Sequence, residues 1–75
     1  MANPAPLKRG ILIIDPQPNM ATLVATMVFG IGKRDIRETN DATQAMMEMR
    51  RRQFDVIIID DAVTNPDAVE LVRRL

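Results

Sequence analysis

Few side chains in this 75-residue chain can do chemistry, and the ones that can are carboxylates. Histidine and cysteine are both absent. That removes the usual general base, the usual zinc ligands, any phosphohistidine donor within the chain and any disulfide framework. Three aspartates stand out because each follows an apolar run. Asp15 ends GILII (10–14), and Asp60 and Asp61 end VIII (56–59). A carboxylate in that place is often only a cap or the first solvated residue. Two of them on neighbouring strand ends would form a cluster that repels itself unless a cation sits in it. Hard oxygen ligands of this kind suit magnesium, which takes one or two carboxylates and keeps several waters.

The elements that must position these aspartates follow from periodicity. GILII and VIII are unbroken aliphatic runs, the pattern of strands buried on both faces of a parallel sheet. DIRET (35–39) alternates around Ile36 and suits a short edge strand. After Asp15, Pro18 suits the first turn of a helix. Met20, Leu23, Val24, Met27, Val28 and Ile31 then recur at helical spacing, with Gly30 and Gly32 as stops. Asn40 or Asp41 caps a second helix, with Gln44 in a loose capping box. Ala42, Ala45, Met46 and Met49 form its stripe, and Arg50, Arg51 and Arg52 close it as a solvated, dipole-complementing end. In the third unit Asn65 caps, Pro66 opens, Asp67 and Glu70 sit near the positive helix end, and Ala68, Leu71, Val72 and Leu75 form the stripe.

Strand and helix alternate, so right-handed crossovers and a parallel sheet are expected. Order 1-2-3 is possible. Order 2-1-3 is favoured, because the first and third strands are the apolar ones and the second reads as an edge. Ligands of open α/β sheets lie at the carboxyl ends of strands where the order reverses. In order 2-1-3 that point lies between Asp15 and Asp60.

Composition bounds the rest. Ten basic and ten acidic residues cancel, which argues against nucleic acid as a partner. No apolar run approaches the roughly 18 residues of a membrane span. Residues 1–9 read as a loose tail, and a cytoplasmic setting is expected. GIGKR (30–34) follows a helix rather than a strand, so its glycines read as turn residues and not as a phosphate loop.

Three segments carry a resemblance. ILIIDPQPNM resembles the opening of a response-regulator receiver domain of the chemotaxis-regulator-like family. ETNDATQAM is similar to its second strand and the start of its second helix. FDVIIIDDAVTNPDAVELVRRL resembles its centre. The likeness runs without a gap over residues 10–75. It implies a flavodoxin-like parallel sheet cut to three βα units, in strand order 2-1-3. It implies two-component signal transduction, with Asp60 as phosphoacceptor for a histidine kinase or phosphotransfer protein, and no other enzyme activity. It also implies magnesium held by Asp15, Asp60 and the carbonyl of Ala62.

Departures are equally specific. Pro16 stands where the family has a second acidic magnesium ligand, so weak metal binding is expected. Asp61 is adjacent, but neighbouring residues at a strand end point to opposite faces. Thr64 and Ala68 replace a proline and a glycine of the family. The family's Ser/Thr switch, aromatic switch and lysine belong to later βα units. A degenerate receiver that only binds proteins is the competing reading, and half of another ligand-binding doubly wound protein is a third. Without a fourth strand, the third strand's edge would stay unpaired and Leu71, Val72 and Leu75 would lack cover. A symmetric antiparallel homodimer through that strand is expected to cure both.

Overall fold

A computed structural model describes residues 10–31 and 35–74. Three strands, β1 (Ile11–Ile14), β2 (Ile36–Thr39) and β3 (Val56–Ile59), alternate with three helices, α1 (Pro18–Ile31), α2 (Ala42–Arg51) and α3 (Ala68–Arg73). The sheet is parallel with order β2-β1-β3. Ile11 to Ile14 pair with Ile36 to Thr39 on one side and with Val56 to Ile59 on the other. The expected α/β class and strand order therefore hold. The expected 1–9 tail, Gly32 and Leu75 lie outside the described residues, as does the side chain of Ile31.

β1 is central and all four of its side chains are buried, which explains why GILII has no polar member. On one face Leu12 and Ile14 pack with Ala42 and Ala45 of α2, Val63, and Leu71 of α3. On the other, Ile11 and Ile13 pack with Ala21 and Ala25 of α1. α1 and α2 both meet β1 through alanines, which let a helix backbone settle close to the sheet, while α3 reaches the same core through Leu71.

That preference for small residues corrects the stripe expected on α1. Ala21, Val24, Ala25 and Val28 face the sheet, whereas Met20, Leu23 and Met27 are exposed. The period was legible, but its phase was set by alanines, which a tally of large apolar residues passes over. α1 also runs through Gly30, which has open space around it, rather than stopping there. In α3, Leu71 is fully buried under cover from α2 and β1, while Val72 is exposed. The loss of cover expected for Leu71 is thus not seen.

Caps fix the helix starts. Asp41 caps α2, accepting from the Gln44 N–H at 2.8 Å, while Gln44 Oε1 accepts from the Asn40 N–H at 3.1 Å. Asp67 caps α3, accepting from the Glu70 N–H at 2.9 Å. This moves the expected cap from Asn65 to Asp67 and places Pro66 in the preceding turn, because Asn65 adopts a positive φ of 58° that no helix entry uses. No helix among the described residues is long and apolar enough to cross a membrane.

The amino end of the sheet is clamped. Gly10 has φ +94°, and a Cβ there would collide with the carbonyl oxygen of Asp35 and approach Arg52 to 2.7 Å. Its N–H donates to Asp55 Oδ2 at 3.1 Å. Arg52, expected among three solvated arginines, instead pairs with Asp35 at 2.8 Å and lies 4.7 Å over the Phe54 ring.

Candidate functional site

Register decides which residues meet at the carboxyl end. Ile14 stands beside Thr39 and beside Ile59, so the next residues, Asn40, Asp15 and Asp60, form a row across β2, β1 and β3. Adjacent strands are about 5 Å apart, so Asp15 and Asp60 start from neighbouring backbone positions. The Asp60 N–H donates to the Ile14 carbonyl at 2.9 Å, which ties the two strand ends together.

Each carboxylate is oriented by the loop that follows it. Asp15 is only 6% exposed. Its Oδ1 accepts from the Gln17 N–H at 2.9 Å, closing an Asx turn across Pro16 that delivers the chain into α1. Asp60 is half-buried, and its Oδ1 accepts from the Ala62 N–H at 2.8 Å. Its carbonyl accepts from the Val63 N–H at 3.2 Å, and Val63 plugs the loop into the core. In both cases the same atom, Oδ1, is held. No hydrogen bond to Oδ2 of either is seen among the described residues, so Oδ2 is the carboxylate oxygen of each that no described partner occupies.

The structure thus brings together two of the expected site residues, Asp15 and Asp60. Ala62, expected to offer its carbonyl, touches Asp60 through its N–H. Asp61 is exposed in the turn beyond β3. Among the described residues, no three acidic, histidine or cysteine side chains converge on a point. A cation here would be held by two carboxylates, the expected Ala62 carbonyl and otherwise water. That donor set fits magnesium, which tolerates few protein ligands, and not calcium, which takes more.

Two residues at the site were read from the sequence only as strand end and helix cap. Thr39 is buried and its Oγ1 donates to the Ile13 carbonyl at 2.8 Å. Asn40 Nδ2 donates to the Asp15 carbonyl at 3.1 Å. Together with the Asp15 N–H, which donates to the Thr39 carbonyl at 3.0 Å, they lock the end of β2 to the backbone of Asp15. They are positioning residues. The available signal was the polar pair after a strand whose neighbour ends in aspartate, but the bonds run to backbone, and only register reveals them.

Comparison with known proteins adds no relative: no family model, no curated protein and no solved structure matches the chain.

Proposed function

We propose that this chain is a receiver module with a flavodoxin-like topology, taking a phosphoryl group on Asp60 from a histidine kinase or phosphotransfer protein in two-component signalling. The observation that carries the reading is the row formed by Asp15 and Asp60, each with one carboxylate oxygen held by its own loop and the other without a partner among the described residues. A nucleophile for phosphoryl transfer needs one oxygen free and in line, and a carboxylate that cannot rotate supplies it. In the transfer, Oδ2 of Asp60 forms a bond to phosphorus as the bond from phosphorus to the donor imidazole nitrogen breaks. The imidazole departs with the bonding electron pair and takes a proton. The Ala62 N–H keeps Oδ1 turned away from the attack.

Asp15, Asp60 and the Ala62 carbonyl would hold magnesium, whose charge neutralises the phosphoryl oxygens when it is bound. Asp15 contributes one carboxylate oxygen, since the other is committed to Gln17.

A second reading, a receiver that binds proteins without being phosphorylated, is favoured by one observation. Pro16 fills the position next to Asp15, and no third acid among the described residues converges on the site. One experiment separates the two. The protein is incubated with acetyl phosphate and magnesium, and separately with a phosphorylated histidine phosphotransfer protein, and the adduct is mapped by mass spectrometry. Receiver function requires a magnesium-dependent adduct on Asp60 that disappears in Asp60→Asn. No adduct from either donor at millimolar magnesium supports the binding-only module, and an adduct on Asp15 or Asp61 that survives Asp60→Asn contradicts the site.

A further inference from the structure

A cavity of about 560 Å³ opens where α2 and α3 end, over the start of β3. Its apolar wall is Met46 and Met49 of α2 with Phe54 and Ile57. All four are half-buried and pack against the core beneath them, so each commits one side to the fold and leaves the other to the cavity. Two of the four are methionines, whose unbranched thioethers adapt to the shape they meet. Seven of the eight lining residues fall between positions 46 and 57, so the cavity is set mainly by α2, the turn after it and β3. Its volume is that of a small-molecule site, roughly 300–1,000 Å³.

Cations rim this wall. Arg50, Arg52 and Arg74 line the same cavity, and no described acidic residue does. The three are differently occupied. Arg52 is held by Asp35 at 2.8 Å and lies 4.7 Å over the Phe54 ring, so it is a fixed part of the wall. Arg74 reaches Glu70 at 3.6 Å and also donates to Met46 Sδ at 3.2 Å. A thioether is a weak acceptor, and a guanidinium that turns to one has donors to spare. Arg50 is exposed and makes no ion pair among the described residues. An anion at the mouth of the cavity would meet Arg50 and Arg74, whose planar forks match a carboxylate.

We propose that this cavity binds a small amphipathic anion, a carboxylate carried on an aliphatic body. The head group is taken by Arg50 and Arg74, and the body lies on Met46, Met49 and Phe54. Each half of the description rests on a different feature. The apolar wall gains from an apolar body, which a wholly polar anion lacks. The arginine rim gains from a carboxylate, which a neutral apolar molecule lacks. The chain's own first nine residues fit less well. They join at Gly10, close to Arg52, but they carry Lys8 and Arg9 and no acid, so charge sets them against the rim. The cavity lies at the amino end of the sheet, away from Asp15 and Asp60, and the proposal does not depend on phosphorylation of Asp60.

The test titrates the whole chain with hexanoate, octanoate and decanoate, and with the neutral 1-octanol, read by backbone amide and methionine methyl shifts. We expect saturable shifts at Met46, Met49, Phe54 and Ile57 and none at Asp15 or Asp60. Affinity should rise about fourfold per added methylene. Octanoate should bind about tenfold more tightly than 1-octanol. The double variant Arg50→Gln, Arg74→Gln changes two exposed side chains. It should keep its circular dichroism spectrum and bring octanoate down to the affinity of 1-octanol, which itself stays unchanged. No saturable shift at the four residues, equal affinity for octanoate and 1-octanol, or affinity independent of chain length would overturn the proposal. So would binding to phosphatidylglycerol vesicles without binding to free octanoate, since the surface would then read a membrane. In a longer protein that continues past Leu75 the titration must give the same result. Loss of octanoate binding there would show that the chain fills its own cavity, and would overturn the proposal as well.

Discussion

The two ends of the sheet hold the same kind of side chain in opposite circumstances. At the amino end, Asp35 faces the Arg52 guanidinium at 2.8 Å and Asp55 accepts from the Gly10 N–H at 3.1 Å. At the carboxyl end, Asp15 and Asp60 accept, among the described residues, only from amides of their own following loops, and the second oxygen of each has no described partner. The first arrangement is structural, since its carboxylates spend their charge on holding strands together. The second leaves negative charge unneutralised where two strands end side by side. Among the described residues, the arginines that follow α2 and α3 lie at the other end of the sheet. Arg50, Arg51 and Arg52 end α2, and Arg73 and Arg74 end α3, all at the amino end of the strands.

The comparison breaks most easily at the clamp. Gly10→Ala forces a Cβ against the Asp35 carbonyl at a positive φ. We expect a loss of about 3 kcal/mol in urea unfolding. Arg52→Ala removes a partly exposed ion pair and the stacking on Phe54. A smaller loss, about 1 kcal/mol after solvent screening, should follow. Neither change should alter the site chemistry of the molecules that remain folded, measured as adduct formed per folded protein. A loss of adduct out of proportion to unfolding would show that the two ends are not separable.

At the carboxyl end the expectation reverses. Asp15→Asn keeps an oxygen for the Gln17 N–H. Its stability should stay within about 0.5 kcal/mol of the parent, while magnesium dependence of the adduct is lost. Pro16→Asp should have the smallest structural effect of the set, because Pro16 is exposed and its turn is held by Asp15 and Gln17. Magnesium titration should show tighter binding in that variant, by the addition of a third carboxylate near Asp15. No gain in affinity would show that the cation, if any binds, sits away from Asp15.

How much of this was legible in the sequence differs by element. GILII and VIII announced buried strands because every residue is aliphatic, and the polar DIRET announced the edge. Strand order followed from that contrast alone. The Asp15–Asp60 pairing followed from strand order. Helix faces were less legible. In α1, Ala21 and Ala25 contact the sheet while Met20, Leu23 and Met27 do not, since close approach favours small residues over hydrophobic bulk. The cap of α3 was misplaced by two residues because Asn65, Pro66 and Asp67 are all acceptable helix openers, and only the bond from Glu70 distinguishes them. The clamp around Gly10 was not legible, because it joins residues separated by up to 45 positions.

The most direct test of the central claim is a backbone amide spectrum of the protein with magnesium, recorded before and after addition of beryllium fluoride, which mimics the aspartyl phosphate. A phosphoacceptor at Asp60 should shift the amides of Asp15, Asn40, Asp60 and Ala62, leave those of Gly10, Asp35, Arg52 and Asp55 in place, and give no change in Asp60→Asn. Shifts confined to the amino end, or a response that persists in Asp60→Asn, would contradict it.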